Sequence, residues 1–81
     1  MLDKVTDFPQ YRKFSNDKVY YKIIDNRNFE EIQLMGTKVF IHKINATQYP
    51  EMLRISEMLS LKLDGIIMST EAEYLAQKKS V

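Results

Sequence analysis

The sequence predicts an α+β fold, in which a small antiparallel sheet of about three to five strands carries two helices packed on it. Strand-length runs of β-branched and aromatic residues fill the first half of the chain, and two amphipathic stretches follow. The glycines and prolines occur only where connections or element starts are expected. With 81 residues the chain has room for one domain over residues 1–81, and residues 1–8 are expected to be flexible.

The first two strands are predicted from residues 10–14 and 18–24. The second run, Lys-Val-Tyr-Tyr-Lys-Ile-Ile, is partly apolar on both of its faces, which indicates a strand that is central or covered on both sides. The polar segment 15–17 lies between the two runs, and short polar side chains of this kind bond to their own backbone in turns. Residues 25–28 form a second polar connection.

The next segment, residues 29–35, fits either a strand or a helix. As a helix, it would be capped by Asn28, Glu31 would complete the cap and Gly36 would end it. As a strand, it would join the clear strand at 38–44 through a two-residue turn that begins at Gly36, because a type II′ turn needs glycine at its first central position. The turn chemistry favours the hairpin.

Two helices and a short strand are predicted in the rest of the chain. The first helix runs from Pro50 to about Leu61, with proline at a position where no helical hydrogen bond is lost. The Ile-Ile-Met run at residues 66–68 indicates a short buried strand. Thr70 is expected to cap the last helix, with Glu73 three residues later completing a capping box.

The composition argues against several classes of function. Twelve lysine and arginine residues stand against 11 acidic residues, so the net charge of +1 lacks the basic excess typical of proteins that bind nucleic acid or anionic membranes. The chain has no cysteine and one histidine, His42, for which we expect a packing role in the sheet. It also has no nucleophile elbow and no glycine-rich phosphate loop. We therefore expect a protein without enzymatic activity, cofactor or bound metal.

The sequence also leads us to expect a cytoplasmic protein. Its apolar runs are shorter than the about 20 residues of a membrane-spanning helix, so we expect no membrane association. Its first residues lack the apolar segment of a secretory signal.

The apolar stripe of the first helix is the leading candidate for a functional surface. Its members are Met52, Ile55, Met58 and Leu59. Methionine-rich apolar surfaces adapt to protein partners, and a small domain without disulfides gains stability from a subunit interface. We therefore expect a non-catalytic protein-interaction module that self-associates, as a homodimer, through this helix or through a sheet edge.

The alternative is a nucleic-acid-associated accessory protein. Its binding surface would be a sheet face rich in aromatic and basic residues, namely Tyr11, Arg12, Lys13, Tyr21 and Lys22. Aromatic rings on a sheet stack on single-stranded bases while basic side chains contact the phosphates. The small net charge makes this the second hypothesis.

Several short stretches between residues 11 and 60 form a recognisable set. They are Tyr11-Arg12-Lys13, Tyr21-Lys22-Ile23, Phe29-Glu30-Glu31-Ile32-Gln33, Met35-Gly36, His42 and Tyr49-Pro50. In this set the chain resembles a group of small uncharacterised bacterial proteins of similar length. The resemblance implies a bacterial, cytoplasmic protein and assigns no activity, so it adds no functional residue.

Overall fold

The computed structural model describes residues 7–79. Its elements are β1 (Gln10–Phe14), β2 (Val19–Ile23), β3 (Asn28–Met35), β4 (Lys38–Asn45), α1 (Tyr49–Leu59), β5 (Ile66–Met68) and α2 (Glu71–Lys78). The strands form one antiparallel sheet in the order β4-β3-β2-β1-β5, which confirms the predicted α+β fold. Neither helix in this part of the chain has the length and apolarity needed to cross a membrane. Of the segment predicted to be flexible, residues 1–6 lie outside the described residues, and Phe8 is half-buried against the core.

The segment that fits either a strand or a helix is strand β3. It pairs with β4 along its whole length, from Asn28 opposite Asn45 to Met35 opposite Lys38. Gly36 has a φ of +63° and is the only turn residue of this hairpin in the positive-φ region, which is the type II′ arrangement. The two-residue turn therefore sets the register of the hairpin, as the sequence predicts.

Strand β2 lies at the centre of the sheet, and a helix covers each of its faces. Tyr21 belongs to a buried cluster with Ile55 and Met58 of α1, whereas Tyr20 belongs to a second cluster with Tyr74 of α2. Because adjacent residues of a strand point to opposite faces, the two helices lie on opposite sides of the sheet. We call these sides the α1 face, which carries Tyr21, and the α2 face, which carries Tyr20.

Helix α1 begins at Tyr49 and ends at Leu59, close to the limits that the sequence predicts. Glu51 in its first turn accepts a hydrogen bond from the backbone N–H of Thr47 at 3.2 Å. The chain leaves the helix at its far end through Leu61, whose φ of 59° is left-handed and incompatible with a further turn. Local backbone contacts therefore define both ends of α1.

Arg12 of β1 holds the C-terminal end of α1 against the sheet. The side chain is buried, and burial lowers the pKa of its guanidinium. Its Nε donates to the carbonyl oxygen of Met58 at 2.9 Å, and its Nη2 donates to that of Leu59 at 3.1 Å. The last turn of α1 has no basic residue of its own, so Arg12 supplies the donors and the positive charge that a helix C-terminus favours.

Helix α2 is attached to the sheet largely through polar contacts. Tyr74 is the one buried residue in this helix, and its hydroxyl donates to Glu30 of β3. Glu30 also accepts from Nζ of Lys78 at 3.0 Å. Thr70 caps the helix as predicted, because its Oγ1 accepts from the N–H of Glu73 at 3.1 Å. The carboxylate of Glu73 accepts hydrogen bonds from Nζ of Lys13 in β1 and from Oγ of Ser69 in the preceding loop. The sequence pattern of a capping box does not predict these two contacts.

Strand β5 differs in part from the predicted short buried strand. It lies at the edge of the sheet, beside β1. Ile66 is buried, whereas Ile67 and Met68 are exposed. The apolar composition of this run predicts the strand correctly, but burial depends on the position of the strand in the sheet order.

Candidate functional site

The apolar stripe predicted as an interaction surface lies mostly inside the protein. Ile55 and Met58 are 1% and 0% exposed and belong to the core on the α1 face. Met52 and Leu59 are half-buried against the same core. The sheet covers this stripe, so a partner could reach Ile55 and Met58 only if α1 left the sheet. Ile55 and Met58 therefore stabilise the fold, and association through the half-buried Met52 and Leu59 stays a prediction.

The residues predicted for a nucleic-acid platform do not share one surface. Arg12 and Tyr21 are buried on the α1 face beneath α1. Tyr11, Lys13 and Lys22 lie on the α2 face, as their pairing registers show. The ammonium group of Lys13 is already held by two carboxylates, at 2.8 and 3.2 Å. Nucleic-acid binding stays a prediction, and this set does not combine an exposed aromatic ring with free basic groups.

His42 is exposed on the α1 face of β4 rather than packed within the sheet. It lies opposite Glu31 of β3, which is buried and accepts from Arg54 at 3.1 Å. Within residues 7–79, no three histidine, cysteine or acidic side chains come together as a group that could hold a metal ion. His42 therefore lies on an open sheet surface, and the carboxylate of Glu31 opposite it is already engaged by Arg54.

Two buried carboxylates lie beneath the helices, and both are occupied by protein partners. Burial raises the pKa of Glu30, but hydrogen bonds from Tyr74 and Lys78 outweigh this effect and hold its pKa below the usual range. Glu31 is occupied by Arg54 of α1. In the part of the chain that the structure describes, no buried side-chain nitrogen or oxygen lacks a hydrogen-bond partner. These groups attach the helices to the sheet.

A shallow pocket of about 230 Å³ opens at the end of the β3–β4 hairpin that is farthest from its turn. It is lined by Ile24, Asn28, Phe29, Lys43, Ile44 and Asn45. Its volume is below the about 300–1,000 Å³ of typical small-molecule sites. The Asn45 amide at its rim is already bonded to Oδ1 of Asn28 at 2.6 Å. The pocket is therefore smaller than a typical small-molecule site.

The outer edge of β4 is an open hydrogen-bonding surface. This strand is eight residues long and comes first in the sheet order, so no strand of residues 7–79 pairs with its outer side. The opposite edge is β5, which is three residues long. Natural sheets protect their edges with short strands, bulges, prolines or charges. The short β5 follows this rule, whereas β4 is long, regular and free of proline.

The hydrogen-bond alternation shows which residues of β4 face outward. In a hairpin closed by a two-residue turn, the pair next to the turn exchanges both backbone bonds, and every second pair repeats this pattern. Ala46, just beyond β4, donates its N–H to the carbonyl oxygen of Arg27 at 2.6 Å, so the even-numbered residues face β3. The backbone N–H and C=O groups that point away from β3 belong to Val39, Ile41, Lys43 and Asn45.

The side chains of β4 leave the middle of this edge uncharged. Lys38 and Lys43 flank residues 39–42, which contain no acidic residue, lysine or arginine. On the α1 face, Phe40 is 40% exposed and His42 is exposed as well. The uncharged run is visible in the sequence, but the position of the strand at the edge is not. The edge is therefore a site that residue types alone do not identify.

Comparisons with protein-family models, with curated proteins and with solved structures find no match to this chain. The resemblance to small bacterial proteins stays a prediction, and the function is argued from the geometry of β4.

Proposed function

We propose that this chain is a non-catalytic protein-interaction module that self-associates through the outer edge of β4. The observation that supports the proposal is the row of outward backbone groups at Val39, Ile41, Lys43 and Asn45, which no strand of residues 7–79 satisfies. A strand laid beside β4 would satisfy them by extending the sheet, which is a common mode of protein recognition.

The residue types of β4 favour pairing with another strand over protection of the edge from such pairing. Sheets that avoid association place charges, prolines or bulges along an exposed edge. Here residues 39–42 contain no acidic residue, lysine or arginine, and the register with β3 continues without a bulge. Phe40 adds exposed aromatic surface, which a neighbouring strand would cover with a cross-strand side chain.

The size of this edge favours a reversible contact. One pair of edge strands buries less than the about 1,600 Å² of a standard stable interface. We therefore expect a dissociation constant on the order of 10–100 µM for self-association. Monomer and dimer would both be populated across the concentrations used in solution experiments.

Sedimentation velocity over a concentration series that spans this constant tests the proposal. The weight-average mass should rise from the 9.6 kDa of the monomer toward twice that value. Lys43→Pro removes an outward N–H without removing a bond to β3, and edge strands tolerate proline at such positions. We expect Lys43→Pro to weaken association by at least about tenfold.

Lys43→Thr is the matched control, because it also removes the lysine side chain but keeps the backbone N–H. It should associate as the wild type does, and circular dichroism should show the same fold for both variants. A wild-type chain that stays at 9.6 kDa at every concentration contradicts the proposal. A Lys43→Pro variant that associates as tightly as Lys43→Thr contradicts it too.

A further inference from the structure

We infer that the partner at this edge is a second copy of the chain, whose β4 runs antiparallel, with His42 of each copy opposite the other at a two-fold axis. The inference rests on the proposed function, and it adds the direction and the register of the contact. A two-fold axis perpendicular to the sheet makes the two edge strands antiparallel, and the features of β4 select the register.

The backbone pattern selects the register. Antiparallel strands exchange hydrogen bonds between residues that both point toward the shared edge. With the two His42 residues opposite each other, Val39 of one copy lies opposite Asn45 of the other, and Ile41 lies opposite Lys43. All outward residues of both strands are then paired within the limits of β4. A register centred on Ile41 instead leaves Asn45 opposite the turn, with no strand to pair with.

The side chains agree with this register. On the α1 face, Phe40 of each copy lies opposite Ile44 of the other, and pairs of an aromatic and a β-branched residue stabilise antiparallel sheets. On the α2 face, Lys43 lies opposite Ile41, so the two ammonium groups are not directly opposed. A register centred on Lys43 would place like charges directly opposite each other, which is destabilising.

The helices leave room for the second copy. Phe40 and His42 are exposed, so α1 does not cover the turn half of β4 on its own face. On the other face, α2 packs chiefly on β1 and β2, and Val39 and Ile41 of β4 are half-buried beside the cluster that contains Tyr74. Both helices thus pack on the faces of the sheet and not at the outer edge of β4, where a second strand would be added.

Cysteine trapping tests the register directly, because the chain has no cysteine of its own. Opposite residues of a non-hydrogen-bonded antiparallel pair have Cα atoms about 4.5 Å apart, which a disulfide can bridge. His42→Cys should therefore form a disulfide between two copies under mild oxidation. In this register the two residues 40 are about 14 Å apart along the strand. Phe40→Cys should therefore form a disulfide at least about tenfold more slowly.

Matched controls separate the register from chance collision. Both positions are exposed, so both variants should keep the native circular dichroism spectrum. In urea, where the strands are unfolded, the two variants should form disulfides at the same rate. In an equimolar mixture of the two variants, disulfides should form no faster than the His42→Cys variant in that mixture forms them with itself.

The outcomes distinguish the inference from the proposed function. Fast trapping of Phe40→Cys would move the axis to residue 40, and trapping that is fast only in the mixture would move it to residue 41. Either result overturns the inference and leaves association through β4 in place. Slow trapping of a chain whose dimerisation is weakened by Lys43→Pro does the same. Slow trapping together with a monomeric wild type overturns both.

Discussion

The backbone N–H of Ala46 donates to the carbonyl oxygen of Arg27 at 2.6 Å, directly beyond the last residue of β4. This bond continues the alternation of the β3–β4 hairpin, so the N–H of His42 faces β3 while those of Ile41 and Lys43 face outward. The alternation places a regular row of donors and acceptors at the edge of the sheet. The proposed function depends on this row rather than on the apolar stripe of α1.

Replacement of Arg12 by methionine should destabilise the protein by loosening the end of α1. The buried carbonyl oxygen of Met58 would lose its charged donor and keep only the backbone N–H of Leu61 at 3.3 Å, and that of Leu59 would lose the Arg12 donor as well. Loss of a hydrogen bond from a charged group costs about 1.5–3 kcal/mol. Urea unfolding should show this loss in the free energy of unfolding. Lys62→Met at the exposed surface is the control, with an expected change within about 0.5 kcal/mol. Equal stability of the two variants would contradict the role given to Arg12.

Removal of the Tyr74 hydroxyl should change both the stability and its pH dependence. Burial raises the pKa of Glu30, but hydrogen bonds from Tyr74 and Lys78 lower it by more, so the folded-state pKa lies below the usual value. Such a carboxyl group contributes stability that is complete above its unfolded pKa of about 4.3 and is lost as the pH falls through the folded value. Tyr74→Phe should therefore be about 1.5–3 kcal/mol less stable at neutral pH.

The difference between wild type and Tyr74→Phe should shrink in acid, since protonated Glu30 no longer gains from the hydroxyl donor. Urea unfolding of both proteins at matched pH values from about 3 to 7 checks this expectation. Asp25 and Glu73 also have lowered pKa values, the first mainly through a backbone hydrogen bond from Arg27 and the second mainly through Ser69, but they contribute equally to both proteins. A stability difference that stays constant with pH would contradict the assignment to Glu30.

The cost of substituting Gly36 should be set by its backbone conformation and not by steric contacts with its neighbours. Its φ is +63°, and a Cβ atom placed there would meet nothing within 4 Å. Gly36→Ala should therefore cost about 1 kcal/mol of unfolding free energy through backbone strain alone. Thr37→Ala is the control, because the second turn residue does not have a positive φ, and it should change the unfolding free energy by less than about 0.5 kcal/mol. Thermal unfolding of the pair at a dilution that keeps the protein monomeric checks the order, and equal costs would contradict the backbone strain expected at Gly36.

Met58 and Leu53 of α1 should respond differently to truncation, because the sheet covers only one of them. Met58 is 0% exposed and Leu53 is 40% exposed. Met58→Ala should cost about 2–5 kcal/mol in urea unfolding because it leaves a core cavity, whereas Leu53→Ala should cost less than about 1 kcal/mol. Comparable losses would mean that α1 presents a different stripe to the core. Neither change should alter association through β4 in a chain that still folds.

Local sequence signals account for most of the elements of this fold. The glycine at the first turn position favours a strand over a helix at residues 29–35, and the structure shows the strand. Apolar residues on both faces of β2 predict a central strand, as the sheet order shows. Thr70 predicted the start of α2. These features depend on interactions between residues close in the chain, so they are visible in the order of residue types.

The candidate site required the tertiary structure. The bond from Arg12 to Met58 spans 46 residues, and no local pattern shows that a strand arginine closes a later helix. Strand order decides that β4 lies at an edge, and the pairing register of β1 with β2 decides that Tyr11 and Tyr21 lie on opposite faces. The sequence could predict a sheet edge as a site of self-association, but it could not predict which strand supplies the edge.

Association through the outer edge of β4 is tested most directly by amide hydrogen exchange along this strand, measured by NMR at low and high protein concentration. The amides of Val39, Ile41, Lys43 and Asn45 should exchange rapidly in the dilute monomer and become protected as the concentration rises. The even-numbered amides of the strand should be protected throughout, because they bond to β3. If the protection of the odd-numbered amides does not change with concentration, the edge of β4 is not the surface through which this protein associates.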